Sequence, residues 1–385
     1  MKNLKFLLGV ALVGGALLSS CSKDDDNTDT STVTGTQAAV DAACDSWKTA
    51  RKDWEWSEAF LFGAAGDYEI DPHIDTWPVD QTALAQLLRN KEIMDNIDAE
   101  ISKQDDGLLG FHGLEYVLFR DGAPRSIDQI TELEFKYAVA VAKDLYKCTS
   151  VLQACWAGKE NVPAARQALV DAFFAGRNDQ YQNYGAEFTD YGEGKTYETA
   201  NDATVQILEG ARDIIGEVSS GKIGKPHTGE DANYIESPYA YNSIQDFYDN
   251  IEGCKFALYG RFGAQQPQEN SVIKFCQSTQ QLSDKANDVV AALDNALDKI
   301  KNMKAPFVKY YKDSSAQDAM DALDKLDGKI NTLEETLKIY KNNAEVEAKL
   351  KDVNTNYINN VVVPTYAALA DNAEIMVSKI TDISK

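Results

Sequence analysis

The sequence is poor in positive charge, in histidine and in long hydrophobic stretches. It carries 38 Lys and Arg residues against 61 Asp and Glu residues, which gives a formal net charge of −23. A surface of that sign repels nucleic acid, so nucleic-acid binding is set aside as a function. Beyond the first twenty residues, no stretch approaches the ~20 apolar residues that a membrane-spanning helix requires. Hydrophobic residues still make up 44% of the chain, which is enough for a sizeable globular core.

The N-terminus has the parts of a bacterial lipoprotein signal. A short basic start precedes an apolar run at residues 6–18, and the Leu-Ser-Ser-Cys box that ends at Cys21 resembles a lipoprotein cleavage site. We therefore predict a signal peptide at 1–20 and a lipid on Cys21, through which the mature chain is anchored to a membrane. An ordinary secretory signal with a coincidental cysteine is the alternative.

Residues 21–36 are rich in Asp, Thr and Asn and are predicted to form an acidic disordered tether. A lysine followed by an acidic run after the lipidated cysteine is similar to an export tag of surface lipoproteins. These features favour the outer membrane of a Gram-negative bacterium, with the chain facing the periplasm or the cell surface.

Cysteine spacing gives no sign of a disulfide framework. With Cys21 assigned to the lipid, five cysteines remain, and no two are spaced as C-x-x-C. Cys148 and Cys155 lie two helical turns apart, which is too far for a disulfide along one straight helix. We expect the remaining cysteines to be core residues. They are Cys44, Cys148, Cys155, Cys254 and Cys276.

Helical periodicity dominates the rest of the sequence. The clearest helix places an apolar residue every three or four positions from Ala316 to Tyr340, with charged residues between them. Residues 282–300 and 346–361 repeat the pattern, so three long antiparallel helices are predicted. Of the nine prolines, all but Pro364 fall between such stretches, and Pro364 is expected to kink the last helix. Further helices are predicted at 36–63, 79–99, 108–120, 125–156, 163–175, 197–219 and 241–262. The sequence therefore predicts an all-α fold.

A glycine- and proline-rich stretch divides these helices into two groups. We predict an N-terminal helical bundle at 37–220, a linker at 221–240 and a C-terminal bundle at 241–385. The block at 53–63 matches the block at 250–260 at four of eleven positions. An internal duplication and two similar helix ends explain this match equally well.

Residues 47–120 contain four of the five tryptophans and two of the three histidines of the chain. Gly110-Phe-His-Gly-Leu-Glu115 places His112 and Glu115 three residues apart, so on a helix both can reach one metal ion or share a proton. Alone, this H-x-x-E pair is a weak signal. The peptidase patterns H-E-x-x-H and H-x-x-E-H are absent, as are the P-loop, the G-x-S-x-G elbow and the dinucleotide fingerprint. Because the chain has only three histidines, carboxylates must complete any ligand set, and oxygen-rich sites suit iron.

Several blocks together resemble the imelysin family of peptidase-like proteins, whose G-x-H-x-x-E signature matches residues 110–115. The other matching blocks, in family order, are residues 54–63, 71–78, 113–119 and 236–250. The resemblance implies an exported protein, often lipid-anchored, built as two helical bundles with a site at their junction. The family name records a peptidase activity, while many members are linked to iron binding or uptake.

The resemblance points to two ranks of site residues. The metal-binding candidates are His112, Glu115, Glu58 and Asp75. The lower-ranked binding candidates are Trp77, Glu236, Ser237, Asp246 and Asn250. Plainer interpretations exist: Glu58 as a solvated helix residue, Asp75 as a turn cap and Trp77 as packing. For His112 we favour function, because the glycines of its motif leave space for close approach of another element or a ligand.

Two functions are weighed against a purely structural or adhesive role. In the first, a lipid-anchored helical protein binds a metal, with iron favoured, or an iron-bearing ligand, and works with partner proteins of iron uptake. In the second, His112 and carboxylates hold zinc while Glu58 or Glu115 activates water, as in a metallopeptidase. His73 and His227 are predicted to be loop histidines rather than ligands. The shortage of nitrogen ligands and of strands that could bind a peptide favours the first function.

Overall fold

The computed structural model describes residues 33–384, and these residues form the all-α fold that the periodicity predicts. The predicted signal peptide and Cys21 lie outside the described residues. The described α-helices are α1 (Gln37–Ser57), α2 (Ala64–Asp67), α3 (Ile70–Asp75), α4 (Gln81–Arg89), α5 (Lys91–Asp95), α6 (Ile97–Glu100), α7 (Gly110–Leu118), α8 (Glu132–Ala157), α9 (Ala164–Phe174), α10 (Tyr184–Glu187), α11 (Ala200–Gly216), α12 (Lys225–Thr228), α13 (Ser243–Tyr259), α14 (Val272–Gln277), α15 (Ser283–Lys301), α16 (Phe307–Tyr310), α17 (Ser314–Lys338), α18 (Ala344–Tyr357) and α19 (Val363–Asp382).

Shorter elements complete the described structure. Strands β1 (Phe119–Arg120) and β2 (Ala123–Pro124) pair as an antiparallel hairpin. The 3₁₀ turns are Glu58–Phe60, Ile101–Lys103, Asp106–Leu108, Ile127–Gln129 and Lys159–Asn161, and the π-helical segments are Glu217–Gly224 and Ile358–Val362. No helix among the described residues is long and apolar enough to cross a bilayer.

Side-chain caps set where several long helices begin. The Thr131 hydroxyl accepts from the amide of Glu134 at the start of α8, and the Glu134 carboxylate accepts from the amide of Thr131. Thr199 and Asp202 form the same reciprocal pair at the start of α11. Each pair satisfies backbone N–H groups that the first turn of a helix otherwise leaves unpaired.

Helix α1 connects the two halves of the molecule. It packs against α7 and α19 on one side and against α13 on the other. In the second half, α15 packs on α13 and α17, and α11 packs on α13, α17 and α18. Buried apolar side chains from both halves form one continuous hydrophobic core. The five cysteines predicted to be core residues are buried and free.

The C-terminal helices cross from one half to the other. Helix α18 packs on α11 and α14, whereas α19, which continues from it through the π-helical segment 358–362, packs on α1 and α8. Residues 363–382 therefore lie with helices of the N-terminal half. The boundaries at 37–220 and 241–385 stay predictions. The packing of α19 shows that a helix late in the sequence can pack with the N-terminal helices.

Both π-helical segments end just before a proline. Pro226 and Pro364 each occupy the second position of the helix that follows, α12 and α19. Proline lacks an N–H group and its ring crowds the carbonyl four residues earlier, and the wider π turn changes the hydrogen-bond register at that point. At Pro364, where a kink was expected, the structure has this change of register.

Parts of the segment 221–240, which is predicted as a linker, are buried in the structure. Residues 221–224 belong to the π-helical segment that continues α11, and Lys222 is fully buried there. The loop that follows carries Glu236 and Ser237, which are also fully buried. Glycine and proline therefore mark a change in backbone geometry here. Residues 222–224 and 235–237 belong to the core, whereas residues 228–233 between them are exposed.

The end of the predicted tether also packs against the fold. Val33 is buried, and its amide donates to the carbonyl of Ile130 at 3.2 Å. Thr36 caps α1 through its side chain. The rest of the predicted tether lies outside the described residues.

The packing of α19 generates a stability prediction. Leu369 is fully buried on this helix, whereas Ile375 is 49% exposed on it. Leu369→Ala should lower the free energy of unfolding by about 2–5 kcal/mol, because it removes apolar contacts and leaves a cavity. Ile375→Ala should change it by less than about 0.5 kcal/mol. Urea denaturation followed by circular dichroism measures both, and equal effects of the two variants would contradict this placement of α19.

Candidate functional site

The signature helix α7 lies against α3 because its glycines have no side chains. Gly110 has a φ of +64°, and a Cβ at this position would overlap the backbone of Ile74. A Cβ at Gly113 would likewise overlap the hydroxyl of Tyr137 on α8. The close approach of another element, one of the two expectations for these glycines, is thereby confirmed. The contact brings Asp75, at the end of α3, beside His112.

All nine residues predicted for the site lie in one group. Glu58 follows α1, Asp75 ends α3, and Trp77 lies just after it. The remaining residues are His112 and Glu115 on α7, Glu236 and Ser237 in the loop before α13, and Asp246 and Asn250 on α13. All are buried except Trp77, which is partly buried. The fold thus brings together residues from segments that lie far apart in the sequence.

His112 lies between two carboxylates. Its Nε2 atom is 3.2 Å from Oδ1 of Asp75, and its Nδ1 atom is 3.3 Å from Oε2 of Glu115. Burial opposes the charged ring, but these two carboxylates outweigh burial and raise the pKa of His112 to about 9. The Nε2 contact lacks hydrogen-bond geometry, so this nitrogen has no hydrogen-bond partner among the described residues.

Both carboxylate oxygens of Glu115 have partners. Oε1 accepts from the backbone amides of Tyr239 and Ala240 at 2.7 and 2.8 Å, and Oε2 faces His112. Glu115 therefore orients the imidazole ring and fixes the loop that carries Glu236. This geometry differs from the ligand role that the motif predicted for Glu115.

Arg51 on α1 lies at the centre of the site and was missed by the sequence analysis. Its guanidinium contacts the carboxylates of Asp75 and Glu55, and its Nη2 atom lies 2.7 Å from Oε1 of Glu236. Its Nε atom is 3.7 Å from Oδ1 of Asp246. Although burial disfavours the charged guanidinium, these carboxylates raise the pKa of Arg51 well above its usual value.

Lys222, in the first π-helical segment, is a second buried cation that was missed. Its Nζ atom lies 2.9 Å from Oε2 of Glu58, 3.0 Å from Oε1 of Glu236 and 3.5 Å from Oε2 of Glu55. It is also 5.3 Å from the centre of the Trp77 ring, within the range of a cation–π interaction. Trp77 thus covers the charged groups as well as packing 5.8 Å from the His112 ring.

We call the buried ionisable residues of this site the charged cluster. Its members are Arg51, Glu55, Glu58, Asp75, His112, Glu115, Lys222, Glu236 and Asp246. The cluster has six carboxylates, two side chains that stay cationic, and one histidine, so acidic groups are in excess. The structure therefore needs protons or another cation to balance the buried negative charge.

The pKa values show where protons are held. Burial raises the pKa values of Glu55 and Glu58 well above normal, against the opposing effects of Arg51 and Lys222. Burial also raises the pKa of Asp246 to about 6. Burial opposes ionisation of Asp75 as well, but Arg51 outweighs it and holds that pKa well below its usual range. Asp75 therefore stays ionised beside His112.

A sequence signal for Arg51 exists, and none exists for Lys222. Arg51 and Glu55 lie on the helical face that also carries Trp47 and Trp54, so charged residues interrupt an apolar stripe, which indicates buried charge. Trp54 itself donates from Nε1 to Oδ2 of Asp75 at 2.7 Å. Lys222 lies in a stretch whose composition predicted a linker, so nothing marked it as a core residue.

The donor set of the cluster suits a cation. Ligand atoms of Asp75, His112 and Glu236 all lie within 4.8 Å of one another. The Nε2 atom of His112 and the Oε2 atom of Glu236 are buried without a hydrogen-bond partner among the described residues. Two carboxylates and an imidazole that has lost its proton are a ligand set for a transition-metal ion. The residues present therefore fit a metal.

An acidic cavity reaches one residue of this ligand set, Asp75. It has a volume of about 310 Å³ and is lined by Glu58, Asp71, Asp75, Glu217 and Tyr234, together with Trp77 and three other residues. Burial, reinforced by Asp75, raises the pKa of Asp71 to about 7. A cleft of one sign of charge concentrates counter-ions at its mouth, so the acidic lining favours a cation over an anion.

Comparisons with known proteins agree on one family. The imelysin family model, Peptidase_M75, matches residues 16–337. Iron-regulated protein A of Synechococcus elongatus is 29% identical over 219 residues, which cover 57% of this chain and 52% of that protein. The chain thus spans about half the length of that curated relative.

One solved structure shows a similar fold. The crystal structure of a protein assigned as an iron-regulated protein A precursor from Parabacteroides distasonis is similar with a TM-score of 0.61 and 24% identity, covering 78% of this chain and 84% of that one. An imelysin peptidase from Bacteroides ovatus aligns at a TM-score of 0.46 and 21% identity, over 63% of this chain and 74% of that one. Because the family model matches most of the sequence, the chain belongs to the imelysin family, as its G-x-H-x-x-E motif predicted.

Proposed function

We propose that this protein binds iron, as the ion or within an iron-bearing ligand, at Asp75, His112 and Glu236. One observation carries the proposal: three buried ligand atoms lie within 4.8 Å of one another, and the His112 and Glu236 atoms Nε2 and Oε2 have no hydrogen-bond partner among the described residues. Unpaired buried polar atoms are costly, and a bound cation would satisfy both.

The charge of the cluster supports the same proposal. Six carboxylates face only two permanent cations, Arg51 and Lys222, so the cluster holds protons where a metal ion would provide charge directly. An ion at His112 and Glu236 would leave Glu58 free to keep its contact with Lys222. Asp75 and Glu236, which pair with Arg51 and Lys222, would share their carboxylates between these cations and the metal.

Arg51 limits how tightly such an ion binds. Its guanidinium contacts the same Asp75 carboxylate, and its Nη2 atom lies 2.7 Å from Oε1 of Glu236. A cation in the ligand set would feel this positive charge at short range, in a medium of low dielectric constant. Moderate affinity suits a protein that passes its ion to a partner.

Iron is the ion that the ligands favour. Carboxylate oxygens with one imidazole form a hard ligand set, and catalytic zinc sites generally use more nitrogen or sulfur ligands. The cyanobacterial relative is named for its regulation by iron, which supports an iron-related role here. Zinc is the competing ion in the test below.

The proposed role includes a location at the outer membrane. A lipid on Cys21 would anchor the protein to the outer membrane of a Gram-negative bacterium, on its periplasmic or cell-surface side. There it would hold iron and pass it to partner proteins of an uptake system. The large negative charge supports a role in attracting cations.

The binding site is tested by calorimetric titration of the purified full chain with ferrous, ferric and zinc ions. Wild type should bind iron, and His112→Gln and Glu236→Gln should each weaken binding by about 10–100-fold or more, because each removes one ligand atom. His227→Gln is the matched control. His227 is partly buried and contacts the Tyr311 carbonyl at 2.8 Å, so its variant should bind as wild type does.

Circular dichroism of each variant separates lost binding from lost fold. Folded variants that bind iron as tightly as wild type would contradict the proposal, and so would a wild type that binds no ion. Cleavage of an unfolded protein by the metal-loaded wild type, abolished in Glu58→Gln, would show a metallopeptidase instead.

The affinity should depend on pH in a defined direction. Because the folded-state pKa of His112 is about 9, the ring is protonated at neutral pH and an ion must displace that proton. Iron affinity should rise by about tenfold per pH unit between about pH 6 and pH 8. In the metal-free protein, the same raised pKa stabilises the fold at lower pH, and this contribution is lost as pH rises through about 9.

Titration in two buffers of different ionisation enthalpy measures the protons released on binding. The His112→Gln variant should release fewer protons than wild type. An affinity that does not change with pH would show that His112 is not a ligand.

The anchor is tested by growing producing cells with a labelled fatty acid. The full chain should incorporate the label and fractionate with the outer membrane. Cys21→Ser should lose the label and the membrane association, because the thioether cannot form. Labelled protein from the Cys21→Ser variant would contradict lipidation at this residue.

A further inference from the structure

A second group of ligand-type side chains lies on another face of α3. His73 precedes Asp75 by two positions on this helix, and residues two apart point to different sides of a helix. The structure thus places His73 on a helix and not in the predicted loop. We call the group the His73 cluster, and its members are His73, Asp106, Asp144, Lys147 and Cys148.

Both ring nitrogens of His73 face carboxylates. Nε2 lies 2.6 Å from Oδ2 of Asp144, and Nδ1 lies 3.2 Å from Oδ1 of Asp106. Asp144 and Cys148 are four residues apart on α8, so they share one helical face. Ligand atoms of His73, Asp144 and Cys148 all lie within 4.8 Å of one another.

The Cys148 thiol is buried and lacks a partner. It is 1% exposed and makes no hydrogen bond to any residue in the described part of the chain. Two other buried thiols do have acceptors, since Cys44 lies 3.5 Å from the Leu118 carbonyl and Cys254 lies 3.6 Å from the Ala211 carbonyl. Cys148 instead lines a cavity.

That cavity is polar and has a volume of about 330 Å³. His73, Asp106, Lys147, Cys148 and Arg177 are among the residues that line it. It contains no residue of the ligand set Asp75, His112 and Glu236. A buried thiol, an imidazole and a carboxylate therefore meet beside a space that can admit a small ligand.

We propose that His73, Asp144 and Cys148 form a second metal site, for a divalent transition ion of the zinc class. Nitrogen, oxygen and sulfur donors together are the ligand set of such borderline ions. Three protein ligands leave a fourth position, which here faces the cavity. The site would therefore have an open coordination position, where water or a small anion could bind the metal.

The residues around the three ligands hold them in place. Asp106 accepts from Nδ1 of His73, which leaves Nε2 for the metal, an arrangement common among metal-binding histidines. The Lys147 ammonium donates to Oδ1 of Asp144 at 2.6 Å, and Oδ2 of Asp144 faces Nε2 of His73. The metal would take the place of the proton between His73 and Asp144.

The site needs two adjustments to accept an ion. The His73 and Asp144 ligand atoms must separate from 2.6 Å to roughly 3.4 Å, the spacing that tetrahedral zinc distances imply. Cys148 must release its thiol proton to solvent. Burial and the Asp144 carboxylate oppose this by raising the thiol pKa, whereas Lys147, Arg177 and the ion itself favour the thiolate.

Cobalt(II) absorption tests the site in the purified full chain. Cobalt substitutes for zinc, and a cobalt–thiolate bond gives a charge-transfer band in the near ultraviolet. Wild type should show this band, and zinc should remove it by competition. Cys148→Ser should lose it, and His73→Gln should weaken cobalt binding by about 10-fold or more.

Cys155→Ser is the matched control, because Cys155 is buried on the same helix two turns further on and lies outside the cavity lining. It should keep the band. A second readout is the thermal midpoint, which zinc should raise in wild type and in Cys155→Ser but not in Cys148→Ser. This readout also shows whether each variant folds.

The inference is independent of the proposed iron site. The band should survive in His112→Gln, even if that variant loses iron binding or if wild type binds no iron. Absence of a band in folded wild type would overturn the second site. A band that persists in Cys148→Ser would do the same, since the thiolate would then come from another cysteine.

Discussion

The charged cluster is the constraint on which the arrangement of the helices depends. Arg51 and Lys222 are fully buried, and a buried cation without an anion beside it costs several kcal/mol. Their carboxylate partners come from α1, from the turn after it, from α3 and from the loop before α13. If one of these segments were displaced, a buried cation would lose a carboxylate partner. The ion pairs therefore fix the position of α1 relative to both halves.

The same constraint explains features that apolar packing alone does not require. Gly110 lets α3 contact α7, which places Asp75 where it can face both Arg51 and His112. Glu115 holds the loop amides of Tyr239 and Ala240, and the loop carries Glu236 to the two cations. The excess of acid over base then leaves the cluster prepared for one more positive charge, and this excess links the fold to the proposed function.

The sequence predicted the helices well and the centre of the site poorly. Regular apolar spacing identified α17, because a helix that buries one face repeats every three or four residues. His112 and Asp75 were found through family blocks. Lys222 could not be found in this way, since local composition shows glycine and proline but not which distant carboxylates surround a residue. The packing of α19 on α1 and α8 is likewise a tertiary choice, because its apolar face would fit either half.

Helix α3 holds the two ligand groups apart although they lie only two residues from each other. Asp75 contributes to an oxygen-rich set that already contains two protein cations, so only an ion with strong affinity for oxygen can compete there. His73 contributes to a set with a thiol, where softer ions gain most. Because their donor atoms differ, the two proposed sites would bind different ions from one mixture. This selectivity would come from the donor atoms and would not require cavities of different size or accessibility.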